Sequence, residues 1–129
     1  MRSNSSSSAL ARRTLSGVLC LLLFALAAFA GGRGFRTQHL LEEHYAKHGK
    51  DFGNITIDEY LRMAQQLRDS RPGKYILEAK RHPGGGARFD TRNNAFVSYG
   101  ADGTIRTFFV PNDGIRYFER QQRTYGRSR

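Results

Sequence analysis

The sequence predicts an α+β domain in which two N-terminal helices pack on a four- to five-stranded antiparallel sheet. Three observations predict this fold. Up to about residue 69, apolar side chains recur every three or four residues, which is the period of a helix with one buried side. After residues 71–73 the period falls to about two, as in strands. The later segments are short and closely connected, so neighbouring strands are expected to run antiparallel.

The first predicted helix covers residues 38–48. Thr37 can cap its N terminus, and Gly49 is expected to end it in the left-handed conformation. Tyr45 shares one side of the helix with His44 and His48, which are one turn apart. The histidine pair should therefore lie at the edge of a packed face.

The second predicted helix covers residues 57–69. Thr56 and Glu59 have the spacing of a capping box, which satisfies two backbone amides at the helix start. One apolar stripe follows at helical spacing, formed by Ile57, Tyr60, Leu61, Ala64 and Leu67. This helix is expected to be the scaffold of the domain.

Five short strands are predicted after the helices. They cover residues 75–80, 87–90, 95–99, 104–110 and 115–119, and turn-forming residues separate them. The remaining basic tail is expected to fray. Because both predicted helices precede the sheet, we expect them to cover one sheet face and to leave the other for a ligand.

Residues 1–30 have the layout of an export signal. Arg2, Arg12 and Arg13 precede an apolar run, and an A-x-A site at Ala28–Ala30 predicts cleavage before Gly31. The apolar run is shorter than the roughly 20 residues of a comfortable membrane span. We therefore expect a secreted or periplasmic protein. Twin-arginine export, or an uncleaved signal that anchors the chain in the membrane, are the alternatives.

Cleavage would leave 99 residues, enough for one small domain. We expect a flexible lead-in over residues 31–36, a domain over 37–121 and a basic tail over 122–129. The only cysteine, Cys20, is in the signal, so no disulfide can support the core.

The predicted mature chain is basic. After the loss of three arginines with the signal, it has 18 basic and 11 acidic side chains, a charge of +7. This charge fits a nucleic acid, a membrane surface or an acidic protein as partner, and also a protein that is merely basic.

His44 and His48 are the best candidates for chemistry. Their spacing is that of a zinc-binding helix, but Tyr45 occupies the position of the glutamate base and Lys47 adds positive charge. We therefore predict no metal and no cofactor. Metal-free RNA cleavage needs a base, an acid and a group that holds the phosphate charge. The two histidines can supply the first two roles. Arg106 or Thr107 can supply the third, because neighbours on a strand face opposite sides.

Other residues are candidates for substrate binding. Arg81 and Arg88 flank a glycine-rich loop that could follow a nucleic-acid backbone, although the loop fits a flexible hairpin connection better. Tyr99, Phe108 and Tyr117 could stack on bases, while most aromatic residues should belong to the core. The predicted substrate-binding set is Arg81, Arg88, Lys47, Lys50 and Phe108.

Four blocks of sequence resemble one known group of nucleases. They are LEEHYAKHGKDFG at 41–53, TIDEYL at 56–61, RFD with NNAF between 88 and 96, and DGTIRTFFVP at 102–111. In this order they are similar to toxin domains of polymorphic and contact-dependent inhibition systems, in the superfamily of barnase, EndoU, colicin tRNases and RelE. The resemblance implies a barnase-like fold and metal-independent endoribonuclease activity, often on tRNA. It carries catalytic roles to His44, His48, Arg106 and Thr107, with Tyr117 as an addition.

The layout of the chain differs from that of such toxins, which usually end a large delivery protein. A separate signal is closer to a free secreted ribonuclease. The expected partners are RNA, including tRNA, and a small acidic immunity or inhibitor protein, and the expected state is a monomer. The alternative function is a non-catalytic basic module that binds nucleic acid or an anionic cell surface, in which the histidines are only helix-edge residues.

Overall fold

A computed structural model describes residues 33–127, and the expected signal at residues 1–30 lies outside this range. Residues 33–127 form an α+β fold with three α-helices and one antiparallel four-stranded sheet. The elements are, in chain order, α1 (Gln38–His48), a short 3-10 helix (Gly49–Phe52), α2 (Ile57–Asp69), β1 (Ile76–Lys80), β2 (Gly86–Asp90), β3 (Ala95–Tyr99), β4 (Ile105–Phe109) and α3 (Ile115–Arg127). No helix within residues 33–127 has the length and apolar character needed to cross a bilayer.

The predicted helix starts are confirmed. At α1, the Thr37 hydroxyl accepts the amide of Leu40 at 3.1 Å. At α2, the Thr56 hydroxyl accepts the Glu59 amide at 3.2 Å, and the Glu59 carboxylate accepts the Thr56 amide at 2.7 Å. These caps satisfy amides that have no partner inside the helix. Both helices therefore begin where the sequence places them.

The predicted left-handed stop at Gly49 is wrong. Gly49 has a helical φ of −55°, and the chain continues into the 3-10 helix before it turns at Gly53, where φ is 92°. Gly49 is needed for another reason. A Cβ there would lie 2.6 Å from the Tyr45 ring, whose hydroxyl donates to the Ile55 carbonyl at 2.6 Å. This close approach sets the position of the 3-10 helix beside α1.

The sheet is a meander with the order β1-β2-β3-β4. Its last strand contains a bulge. Ser98 pairs with Thr107 and Tyr99 pairs with Ile105, so Arg106 is the extra residue. Ile105 consequently packs in the same core cluster as Phe108, whereas regular alternation along a strand would place it on the same side as Thr107.

One face of the sheet is closed by α2. Tyr60, Ala64 and Leu67 are buried against Val97 and Phe108 of the sheet. The Tyr60 hydroxyl donates to the Phe108 carbonyl, and Phe52 stacks on Phe108 with ring centroids 4.3 Å apart. Burial of this aromatic cluster supplies much of the hydrophobic stabilisation of the domain.

The other face carries α3, where we expected a fifth strand at residues 115–119 and a frayed tail. Phe118 is buried on this face with Ala79, Phe89 and Phe96. The helix packs mainly on β1 and β2. The expectation of a wholly open second face is therefore wrong. The face is open only in part, because Thr107 and Phe109 on β4 remain partly exposed.

The segment before α1 belongs to the fold, although residues 31–36 were expected to be a flexible lead-in. The Gly34 carbonyl accepts the amide of Ile105 at 2.9 Å, and Phe35 forms a parallel bridge with the same residue. Arg68, only 5% exposed, donates to the carbonyls of Arg33 and Gly103. The folded unit therefore begins before Thr37 and extends through α3, beyond both limits of the expected domain.

Candidate active site

Helix α1 places His44 and His48 beside β4. The two rings have centroids 6.2 Å apart, consistent with their separation by one helical turn. His44 packs on Phe35 at 4.9 Å, and His48 packs on Phe109 at 5.2 Å. Both histidines are half-buried. Each ring is thus held by an aromatic neighbour while part of it remains accessible.

A cavity of about 570 Å³ lies next to the two histidines. We call it the histidine groove. It is lined by Glu43, His44, Lys47, His48, Thr107 and Phe109. The structure therefore brings three of the five predicted catalytic residues, His44, His48 and Thr107, together in one groove.

A second cavity, of about 890 Å³, also contains His44. We call it the arginine pocket, because Arg33, Arg36 and Arg106 line it. Arg33 is paired with Asp102 at 3.0 Å. Arg36 and Arg106 have no carboxylate partner among residues 33–127. Two unpaired guanidinium groups beside a histidine favour the binding of an anion such as a phosphate.

The surroundings of His44 favour its neutral form. Burial lowers its pKa, the charges of His48 and Lys47 act in the same direction, and Glu43 opposes them. Nδ1 of His44 is buried and has no hydrogen-bond partner within the described part of the chain. A proton on Nδ1 would be buried without an acceptor, which costs free energy. In the neutral ring the proton therefore belongs on Nε2.

His48 has a different partner. Its Nδ1 lies 3.4 Å from a carboxylate oxygen of Asp51, in the 3-10 helix. A carboxylate on one side of an imidazole orients the ring and leaves Nε2 for a substrate. Sequence reasoning did not select Asp51. The available signal was a carboxylate three residues after a histidine at a helix end.

Tyr117 of α3 lies at the border of the histidine groove. Its ring packs on Phe109 with centroids 5.2 Å apart, and Phe109 in turn packs on His48. Burial raises the pKa of Tyr117, and Asp113 adds to this effect while Arg120 opposes it. Tyr117 is thus separated from His48 by one aromatic ring.

The predicted binding residues are scattered. Lys47 lines the histidine groove, whereas Lys50 is exposed on the 3-10 helix outside both cavities. The prediction that Phe108 stacks on a base is wrong, because this ring is 1% exposed in the core beneath α2. Arg81 and Arg88 line a separate cavity of about 490 Å³ at the glycine-rich loop.

The side chain of Arg88 is held by neighbouring side chains in that separate cavity. Its guanidinium donates to the Glu78 carboxylate at 2.7 Å and lies over the Tyr99 ring at 5.3 Å. Only 16% of its side chain is exposed. Arg88 therefore contacts Glu78 on β1 and Tyr99 on β3, and it links β2 to its two neighbouring strands.

Within residues 33–127, no three His, Cys, Asp or Glu side chains converge to form a candidate metal site. Comparisons with protein-family models and with curated proteins found no match to this chain. The geometry of the two cavities is thus the basis on which a function can be inferred.

Proposed function

We propose that this protein is a metal-independent endoribonuclease with a barnase-like fold, exported by its N-terminal signal and active as a monomer on RNA, including tRNA. The observation that carries the proposal is the position of His44. It lies between a groove that holds His48 and Thr107 and a pocket that holds two unpaired arginines. A small acidic protein would suit the same cationic surface as an inhibitor.

The cations explain how RNA would reach the site. Phosphate contacts with arginine and lysine supply most of the sequence-independent affinity for nucleic acid. Arg36 and Arg106 border His44 on one side, and Lys47 borders it on the other. A phosphate bound next to His44 would therefore meet positive charge on both sides.

His48 is the general base in this proposal. The Asp51 carboxylate lies 3.4 Å from its Nδ1 and favours a proton on that atom, so Nε2 is left to take the proton of the ribose 2′-hydroxyl. The 2′-oxygen then forms a bond to the adjacent phosphorus. Asp51 orients the ring and stabilises the imidazolium that forms, as the carboxylate does in a Ser-His-Asp triad.

His44 is the general acid. Bound phosphate places negative charge beside the ring and favours its protonated form, which counters the effect of burial. As the bond from phosphorus to the 5′-oxygen breaks, the His44 imidazolium gives that oxygen its Nε2 proton, and the neutral ring returns to the Nε2-protonated tautomer by proton exchange with water after the step. The products are a 2′,3′-cyclic phosphate and a free 5′-hydroxyl. The proton taken by His48 balances the one released by His44.

Arg106 and Thr107 hold the charge that develops on the phosphate. On a regular strand only one of them could face the substrate. The bulge in β4 changes this, because Arg106 lines the arginine pocket and Thr107 lines the histidine groove, with His44 bordering both. Preorganised donors of this kind typically contribute the largest share of catalysis.

The alternative is a non-catalytic module that binds nucleic acid or an anionic cell surface. The unpaired Arg36 and Arg106 would serve that function equally well. In that case the histidines would be helix-edge residues without a chemical role.

A cleavage assay separates the two functions. The full chain, purified after export, is incubated with total RNA in EDTA, and the new RNA ends are analysed. We expect 2′,3′-cyclic phosphate ends, and loss of cleavage in His44→Ala and His48→Ala. His39→Ala is the matched control, because His39 is on the same helix and its side chain is 78% exposed. Absence of cleavage, or equal cleavage by all three variants, would overturn the enzyme proposal.

A further inference from the structure

Helix α3 carries a row of arginines on the side that faces away from the sheet. Arg116, Arg120, Arg123 and Arg127 are all exposed and are spaced by four, three and four residues. At 3.6 residues per turn they fall within an arc of about 60°. Phe118 is buried on the opposite side. We call this row the arginine face.

The arginine face is connected to the histidine groove. The guanidinium of Arg120 lies over the Tyr117 ring at 5.6 Å, and Tyr117 packs on Phe109, a residue of the groove. Near the other end of the helix, the guanidinium of Arg81 lies over the Tyr125 ring at 5.7 Å. The arginine face therefore borders the histidine groove through Tyr117.

The composition of α3 favours nucleic acid over a membrane as the ligand. A helix that binds a bilayer surface inserts an exposed apolar side between the lipids. The apolar side of α3 is instead buried on β1 and β2, with only Ile115 exposed at its start. Arginines interleaved with tyrosines are the side chains that contact phosphates and stack on bases.

We propose that the arginine face of α3 binds the phosphates of an RNA strand that extends out of the histidine groove across Tyr117. From Arg116 to Arg127 the helix rises about 16 Å, so the face can follow several nucleotides. This inference rests on the proposed function, and it makes long single-stranded RNA, rather than a short oligonucleotide, the preferred substrate.

The test measures binding separately from cleavage. The full chain carrying His44→Ala and His48→Ala is titrated against a fluorescein-labelled 20-nucleotide single-stranded RNA, and anisotropy is recorded at several salt concentrations. The test variant adds Arg116→Gln, Arg123→Gln and Arg127→Gln. Arg120 is kept because it pairs with Asp113. The control adds Arg62→Gln, Arg71→Gln and Lys74→Gln, which remove the same charge from exposed positions on and after α2.

We expect the test variant to bind at least about tenfold more weakly, and the slope of log affinity against log salt to fall by about 2, as for three lost phosphate contacts. The control should lose less than about threefold. With the histidines restored, the test variant should also lose more kcat/KM on the 20-nucleotide RNA than on a dinucleotide.

Equal weakening of the test and control variants would overturn the inference. The inference would also be overturned if the chain bound vesicles of phosphatidylserine and phosphatidylcholine but not RNA, and if the test substitutions abolished the binding to vesicles. If RNA binds at the arginine face but no variant cleaves it, the enzyme proposal fails and the binding surface stands. The two failures are therefore distinguishable.

Discussion

The two faces of the sheet use the same four strands differently. Beneath α2, Tyr60, Phe52 and Phe108 form a closed aromatic core that extends to β4. On the other face, α3 covers β1 and β2, while β4 presents Thr107 and Phe109 to a groove lined by α1. Packed side chains cover the first face completely, whereas they cover only part of the second.

The difference lies in where each helix crosses the sheet. Helix α2 packs on β2, β3 and β4, so the strand that carries Thr107 and Arg106 is held from behind. Because α3 lies towards the other edge, the front of β4 stays accessible. The closed face should therefore determine stability, and the partly open face should determine chemistry. Three experiments test this division.

The largest effect is expected from a substitution of Phe108, the residue of β4 that faces the closed core; its neighbour Thr107 faces the groove. Phe108→Ala should lower the free energy of unfolding by about 3–5 kcal/mol, because it leaves a cavity in the closed core. Phe108→Leu, which keeps most of the volume, should cost less than about 1.5 kcal/mol and leave cleavage by the folded protein intact. Urea unfolding followed by circular dichroism measures both.

Thr107→Val is the matched variant on the open side. It keeps the shape of the side chain and removes the hydroxyl, so stability should change by less than about 1 kcal/mol. RNA cleavage should fall about 100-fold with the loss of one donor to the phosphate. If Thr107→Val destabilises the protein as much as Phe108→Ala, the division between the two faces is wrong.

A smaller effect should follow from Asp51→Asn. The amide keeps the shape but removes the charge that orients and stabilises His48. We expect kcat to fall about tenfold with KM unchanged, less than for a deeply buried triad carboxylate, since Asp51 is partly exposed. Single-turnover cleavage of an RNA oligonucleotide measures the change. A purely structural role for Asp51 would lower the melting temperature and leave kcat of the folded fraction unaltered.

The smallest expected effect is the contribution of His44 to the pH dependence of the free energy of unfolding. Burial lowers the pKa of His44 below its ordinary value of 6.5, so near pH 6 the unfolded chain binds more protons at this residue than the folded chain. His44 should therefore contribute stability above about pH 6.5 that is lost as the pH falls. We expect the midpoint of urea unfolding to be lower at pH 5.5 than at pH 7.5. This difference should be smaller in His44→Gln.

His39→Gln serves as the control for the pH experiment, because His39 is exposed on the same helix. It should preserve the full pH dependence. An unchanged pH dependence in His44→Gln would mean that the partly open face does not hold this histidine in its neutral form.

The parts of the fold that depend on local signals could be predicted from the sequence. Thr37 and the capping box of Thr56 and Glu59 mark the starts of α1 and α2, and turn residues separate the four strands. These features act over three or four residues, so the sequence alone contains the physical cause. The same holds for the pairing of His44 and His48 on one side of α1.

Helix α3 could not be predicted in this way. Ile115 and Tyr117 alternate with polar residues as in a strand, while Tyr117, Gln121 and Tyr125 also have helical spacing. The two patterns compete, and the outcome depends on burial of Phe118 against strands far away in the sequence. Tertiary packing decided between them.

The candidate site could be predicted only in part, because it also depends on contacts between residues that are far apart in the sequence. Arg106 and Thr107 could be selected by residue type, but the bulge that directs them into different cavities depends on the register of β3 and β4. Arg36 and Asp51 become neighbours of the histidines only through the path of the chain on either side of α1. No spacing rule within α1 contains that information.

The buried Arg68 has a consequence for the proposed cleavage near the N terminus. It donates to the carbonyl of Arg33, only three residues beyond the A-x-A site, and Gly34 supplies the acceptor for Ile105. A cut after Gly34 would remove both acceptors. The buried Ile105 amide would then lose its partner, at a cost of about 1–3 kcal/mol, while Arg68 would keep its bond to the Gly103 carbonyl. The same cut would also remove Arg33 from the arginine pocket. If the chain is cleaved as proposed, the position of the cut should therefore set both its stability and its electrostatic potential.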